Sequence, residues 1–185
     1  MTRHPPRSTL SSSSAASDVY KETDATGMGY EIERKFLVSG EYKSHAYDHY
    51  VMKQGYLSLS GISVVRVRVK GEKGYITVKG AVGEGGITRR EWEYEVPLRD
   101  AEEMLLLCED AVIEKTRYLV KVGKHTFEVD EFGGENAGLQ IAEVELESEE
   151  ESYEKPGWLG HEVTGNVRYY NSYLSIHPYR EWAEQ

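Results

Sequence analysis

Apolar and polar residues alternate with a period of two in one segment after another. That spacing gives a β-strand one apolar face and one polar face. Residues 30–38, YEIERKFLV, set Glu31, Glu33 and Lys35 against Ile32, Arg34 and Phe36. In residues 51–59, Gln54, Tyr56 and Ser58 oppose Gly55, Leu57 and Leu59. Residues 62–70 place Arg66, Arg68 and Lys70 opposite Val65, Val67 and Val69, and residues 75–80 place Tyr75, Thr77 and Lys79 opposite Ile76 and Val78. In 87–96, Arg89, Glu91, Glu93 and Glu95 oppose Arg90, Trp92 and Tyr94. In 111–122, Lys115 and Arg117 share one face, and Tyr118, Val120 and Val122 the other. Residues 125–132 set Thr126, Glu128 and Asp130 against Phe127 and Val129; residues 139–147 set Ile141, Glu143, Glu145 and Glu147 against Ala142, Val144 and Leu146.

These are eight strand candidates with short connections, two of them glycine-marked turns at 71–74 and 83–86. Helical signals are fewer. Asp100 followed by Glu103 reads as a capping box opening a short helix that runs on through Met104 to Leu107. Ser148 with Glu151 suggests a second capped turn, Glu41 to Asp48 a loop or short helix, and Asn166 to Ile176 a tyrosine-rich helix stopped by Pro178. The expected fold is mainly β (α+β): a closed eight-stranded antiparallel barrel with flanking helices.

In a small barrel the inward face is ordinarily apolar. Here Lys35, Arg66, Arg68, Lys79, Lys115 and Arg117 recur at strand positions, as do Glu31, Glu33, Glu91, Glu93, Glu143 and Glu145. If these faces point outward, the chain is a sandwich with a solvated surface. If they point inward, it encloses a polar tunnel. Two features favour the tunnel. The opposite faces carry Arg34, Arg90, Trp92, Tyr94 and Tyr118, a mixture suited to packing under helices. Basic and acidic residues are also segregated by strand, as expected where basic side chains hold phosphate oxygens and carboxylates hold divalent cations.

Composition narrows the ligand. The 185 residues carry a formal net charge of −10, which argues against a nucleic-acid backbone as the main partner. Net charge describes the whole chain, not the inside of a pocket. No apolar run reaches membrane-spanning length. The single cysteine, Cys108, excludes an internal disulfide or a cysteine-cluster metal site, and is compatible with a reducing compartment such as the cytoplasm. Residues 1–27, with Arg3, Pro5, Pro6, Arg7 and a serine run, lack hydrophobic periodicity and read as a disordered, dispensable extension before a domain at 28–185. Their basic, serine-rich start also resembles an organellar transit peptide, and Met28 would make a natural initiator.

The ExExK opening, the RVRVK strand, TVKG, RREWEYE, EKTRYLV, EVDEF and AEVEL resemble, in order and spacing, the signature of the CYTH family of triphosphate tunnel metalloenzymes. The resemblance spans about residues 29–175. It implies an eight-stranded tunnel barrel that binds a triphosphate-containing small molecule together with Mg²⁺ or Mn²⁺. By that resemblance Lys35, Arg66, Arg68, Lys79, Lys115 and Arg117 match phosphate-binding positions, and Glu31, Glu33, Glu143 and Glu145 match metal-binding carboxylates. Glu91, Glu93 and Asp130 match supporting acidic positions, and Tyr56 matches a tyrosine paired with the lysine of ExExK.

The implied activity is metal-dependent hydrolysis of inorganic triphosphate. Adenylate cyclase, thiamine-triphosphatase or nucleoside-triphosphatase activity on the same fold, and a non-catalytic polyphosphate-binding module, are the alternatives. A homodimer is left open, and no nucleic-acid or membrane partner is expected. The chain has no Gly-x4-Gly-Lys-Ser/Thr phosphate loop, which fits a site that holds phosphate with side chains. His45 and His49 read as loop residues, His125, His161 and His177 as structural or exposed, Cys108 as a small core residue and Glu147–Glu154 as a solvated acidic run.

Overall fold

The computed structural model describes residues 32–60, 63–82 and 89–184. Glu31, Met28 and the extension therefore lie outside the described residues. Among the described residues nine strands form one sheet: β1 Ile32–Val38, β2 Ala46–Leu59, β3 Val64–Lys70, β4 Lys73–Val82, β5 Arg89–Val96, β6 Ile113–Val122, β7 His125–Phe132, β8 Gln140–Leu146 and β9 Leu159–Glu162. Their order is β5-β4-β3-β2-β6-β7-β8-β1-β9, and every neighbouring pair is antiparallel. Lys79 of β4 and Lys35 of β1 stand far apart in this ladder yet line one cavity, so the sheet curls around its charged face.

The mainly-β antiparallel tunnel is the expected architecture. It differs in strand number and in closure. β9 adds a ninth strand on β1, and among the described residues β5 and β9 are the two free edges of the ladder. The first and eighth strands are neighbours, as the tunnel requires, but through direct pairing inside the ladder rather than at a closing seam.

The alternation is realised strand by strand. Lys35, Arg66, Lys79, Lys115 and Asp130 are all buried on the concave side, which removes the solvated-sandwich reading. The apolar faces point the other way into three clusters. Phe36, Phe127, Val144 and Trp158 pack outside β1, β7 and β8. Ile113, Phe132, Ile141 and Leu174 pack beneath the C-terminal helix. Val67, Val69, Ala101 and Leu105 pack beneath α1, Leu98–Leu105. Gly74 is required there, because a Cβ would lie 2.6 Å from the Ala101 Cβ. Trp92 and Tyr94 do not pack under a helix: they are 42% and 59% exposed on the edge strand β5. Arg34 reaches Glu162 of β9, and Tyr118 stacks on His49.

Three helical expectations change. α1 begins at Leu98, with Pro97 at the N-cap and no side-chain cap, so the Asp100–Glu103 capping box does not form. Packing Leu98, Ala101 and Leu105 along one helical stripe moves the start forward, leaving Asp100 in the first turn, where its charge suits the helix dipole. The tail is two pieces, a 3₁₀ turn at Val167–Tyr169 and α2 at Asn171–Ile176, separated by extended backbone at Tyr170. The turn at Ser148 forms without opening a helix; the Glu151 carboxylate accepts the Glu147 N–H.

Candidate active site

The curled sheet encloses a cavity of about 680 Å³ whose wall includes Glu33, Lys35, Tyr56, Arg66, Arg68, Lys79, Lys115, Arg117, Glu143 and Glu145. Asp130 lies just beneath them, and Glu91 and Glu93 stand on β5 beside Lys79 and Arg66. The alternation therefore brings together every sequence-derived site residue among those described. Glu31 is the one that falls outside.

Register explains the convergence. On β1 and β8, Glu33 faces Glu145 and Lys35 faces Glu143. On β8 and β7, Glu143 faces Glu128. Two like-charged pairs directly opposite each other are unfavourable unless cations sit among them. Lys35 supplies one such cation: its Nζ is 2.8 Å from Glu33 and also bonds Glu143. Burial opposes its charge, but the Glu143 and Glu33 carboxylates outweigh that and hold the ammonium above its ordinary pKa. The two carboxylates are pushed apart in turn. Burial and the nearby Glu143 charge raise Glu33, whereas for Glu143 the burial penalty is overcome by Lys35 and Arg117, and its pKa falls.

Asp130 anchors the neighbouring wall. It accepts from Lys115 Nζ at 2.5 Å and takes a fork from Arg117, Nε to Oδ1 and Nη2 to Oδ2, both at 2.7 Å. Its burial would favour the neutral acid, but Arg117 and Lys115 hold it well below the usual carboxylate range. Arg117 also bonds Glu128 and, at 3.3 Å, Glu143. Burial lowers the Lys115 pKa despite Asp130.

The wall formed by β3 and β4 is different. Arg66 lies 3.2 Å from Thr77 Oγ1 and 3.5 Å from Glu93, while Lys79 lies 3.4 Å from Glu91. The Nε atoms of both Arg66 and Arg68 are buried without a hydrogen-bond partner. Burial, reinforced by Arg66, pulls the Arg68 guanidinium down to about 10, still protonated at neutral pH. Buried guanidinium N–H groups left without acceptors are costly. Both arginines line the cavity, so their guanidinium groups form part of a wall with unsatisfied donors.

A CYTH domain model matches residues 29–172. The chain belongs to the CYTH domain family. It is 52% identical over 159 residues to an inorganic triphosphatase of Acetivibrio thermocellus, covering 85% of this chain and all of that protein. It is 36% identical to an inorganic triphosphatase of Nitrosomonas europaea over 152 residues, 79% of this chain and 97% of the relative. A crystal structure of an inorganic triphosphatase superposes with a TM-score of 0.65 at 32% identity, covering 79% of this chain and 94% of the other.

Within this CYTH tunnel the carboxylates divide by position. Glu33 and Glu145 form an acidic pair whose second member is exposed, whereas Glu143 is held by Lys35 and Arg117. Among the described residues no three His, Cys, Asp or Glu side chains form a ready-made cage for a metal. The donors nevertheless fit a small, hard divalent cation, since such an ion takes one or two carboxylates and completes its shell with water and substrate phosphate. The remaining residues the sequence singled out stay apart from the tunnel or at its rim. His45 and His49 do not converge, since His45 ends a 3₁₀ turn and His49 stacks on Tyr118. His125 contacts Glu151 at 3.0 Å on the cavity rim.

Several wall residues escaped the sequence reading as candidates. Gln54, 1% exposed, donates to the Tyr56 hydroxyl at 3.2 Å, and Thr77, buried behind the wall, donates to Glu93 at 2.7 Å. Both sit on polar strand faces, so the alternation contained the signal. Tyr170 and Asn171 also line the cavity, but they come from the C-terminal segment, where no strand period pointed to them. The Lys35 ammonium lies 5.9 Å from the Tyr170 ring centroid.

Proposed function

We propose that this protein hydrolyses inorganic triphosphate to pyrophosphate and orthophosphate in the charged tunnel, assisted by Mg²⁺ or Mn²⁺. The observation that carries this reading is a cavity lined by Arg66 and Arg68, whose buried Nε atoms lack a hydrogen-bond partner, together with Lys35, Lys79, Lys115 and Arg117. Six cations around about 680 Å³ suit a compact polyanion. The inorganic triphosphatase relatives support the choice of substrate.

In this reading Arg66, Arg68 and Lys79 grip one end of the triphosphate, and Lys35, Lys115 and Arg117 the other. Asp130 fixes the directions of Lys115 and Arg117 from below. Glu33 and Glu145, with Glu31 and Glu143, would hold the divalent cation, which would neutralise charge developing on the phosphate oxygens. Lys35 Nζ stabilises the phosphate under attack, and the Tyr56 hydroxyl helps set its orientation. The cytoplasm is the proposed location.

Purified protein is expected to release orthophosphate and pyrophosphate from inorganic triphosphate, to lose activity on chelation, and to regain it with added Mg²⁺ or Mn²⁺. The same assay run with ATP and thiamine triphosphate, scored also for cyclic AMP, tests the substrate. Faster turnover of either, or release of cyclic AMP, would replace this reading.

Tyr56→Phe separates a functional hydroxyl from a packing ring. A role beside Lys35 predicts kcat lower by about tenfold with KM little changed. A wall residue that only packs predicts wild-type kinetics across pH.

A further inference from the structure

Two uncharged residues of the tunnel wall, Tyr170 and Asn171, come from outside the strands. Tyr170 and Asn171 lie where the Val167–Tyr169 turn meets α2. Asn171 Oδ1 accepts a long hydrogen bond, 3.5 Å, from Lys115 Nζ, and the Tyr170 ring faces Lys35 Nζ. Both lysines are buried, at 4% and 7% exposure.

We propose that Asn171 and Tyr170 are positioning residues that hold Lys115 and Lys35 with uncharged groups, so that the charge of both ammoniums stays available to triphosphate. This rests on the triphosphatase reading above. The physical problem is specific to a buried cation that must bind a polyanion. Left without partners on one side, a buried ammonium loses hydration and its position drifts. Given more carboxylates, it is neutralised before substrate arrives. Lys35 already touches Glu33 and Glu143, and Lys115 shares Asp130 with Arg117. An amide oxygen and an aromatic face each solvate an ammonium without cancelling its charge. A phosphate oxygen, which makes the stronger charge-assisted bond, can then displace the amide.

The segment is built to hold these two groups in place. Leu174 of α2 is fully buried with Ile113, Phe132, Leu139 and Ile141, and Tyr169 packs edge-on against Trp182 with ring centroids 5.3 Å apart. The extended backbone at Tyr170, φ −81° and ψ 141°, ends the turn before α2 starts, setting Tyr170 and Asn171 side by side at the break.

Asn171→Asp tests the charge directly, because it keeps the shape and adds one carboxylate beside Lys115. Expected are a KM for triphosphate raised at least about tenfold and a thermal midpoint equal to or above wild type, since the new carboxylate pairs with the lysine. Asn171→Ala should lower the midpoint and raise KM less than the aspartate does. The upshift of the midpoint by inorganic triphosphate with Mg²⁺ reads binding independently of turnover, and Asn171→Asp should need about tenfold more ligand for the same shift. A purely structural asparagine predicts the opposite pattern, with both variants destabilised and KM unmoved.

If Asn171→Asp does not fold, the Tyr170 pair decides. Tyr170→Leu should lower kcat/KM several-fold, and Tyr170→Phe, which keeps the ring face, should recover most of that loss. Wild-type KM in Asn171→Asp, or no recovery in Tyr170→Phe, overturns the proposal. A wild-type protein that neither turns over nor is shifted by triphosphate would instead remove the triphosphatase reading, and this inference with it.

Discussion

Lys35→Ala is expected to lower kcat/KM for triphosphate by about a thousandfold, with most of the loss in kcat. Lys35 is the cation between Glu33 and Glu143, and removing it does two kinds of damage. The phosphate under attack loses its buried ammonium. The Glu33 and Glu143 charges also repel each other with less compensation, which pushes Glu33 further toward its protonated form and away from metal binding. Lys35→Ala should therefore cost more than Tyr56→Phe, which deletes only a hydroxyl. Steady-state kinetics over a range of Mg²⁺ concentrations checks both effects: kcat stays low at saturating metal, and the metal requirement rises. A variant within about tenfold of wild type would remove Lys35 from the reacting centre.

The second large effect is on stability. Asp130→Asn is expected to destabilise the fold by about 3–5 kcal/mol, because it leaves Lys115 and Arg117 buried together without the carboxylate that both bond. Denaturant melts at pH 7 read the loss. The pH dependence carries a definite sign. Asp130 has a folded pKa depressed below its unfolded value of about 3.9, so its contribution is fully present above that value and is lost as pH falls through the folded pKa. Glu143, also depressed, acts in the same direction. Wild-type stability should thus fall steeply on acidification below about pH 4, and Asp130→Asn should be flatter over that window. Equal acid dependence in the two proteins would show that the carboxylate is not the linked group.

Much of the tunnel was legible in the sequence because it is written at a period of two. Arg66 and Arg68, Glu33 and Lys35, Lys115 and Arg117, and Glu143 and Glu145 each share a strand face by spacing alone, and each pair stays on one face in the fold. Family resemblance assigned their roles. Shorter and local signals fared worse. The strand Leu159–Glu162 is four residues with a glycine inside it, too brief to show alternation, and it forms by adding to the free edge of β1. The Asp100–Glu103 box was a sound local signal, but packing Leu98 of α1 against the Val67 cluster outweighed it. The tyrosine-rich tail reads as one helix until Tyr170 adopts extended backbone beside Lys35.

By itself the sequence determined which side chains lie together on each strand, and hence that two chemically opposite faces exist. It could not determine which face the sheet would curl around, because a period of two is the same for a concave and a convex surface. That choice belongs to the tertiary structure, where the apolar faces find α1, α2 and the Trp158 cluster on the outside and leave the charged faces to meet across the tunnel. Register was likewise a property of pairing, and only pairing set Glu33 opposite Glu145 and Lys35 opposite Glu143. The contacts of Asn171 with Lys115 and of Tyr170 with Lys35 join positions 56 and 135 residues apart, a distance that no local pattern can span.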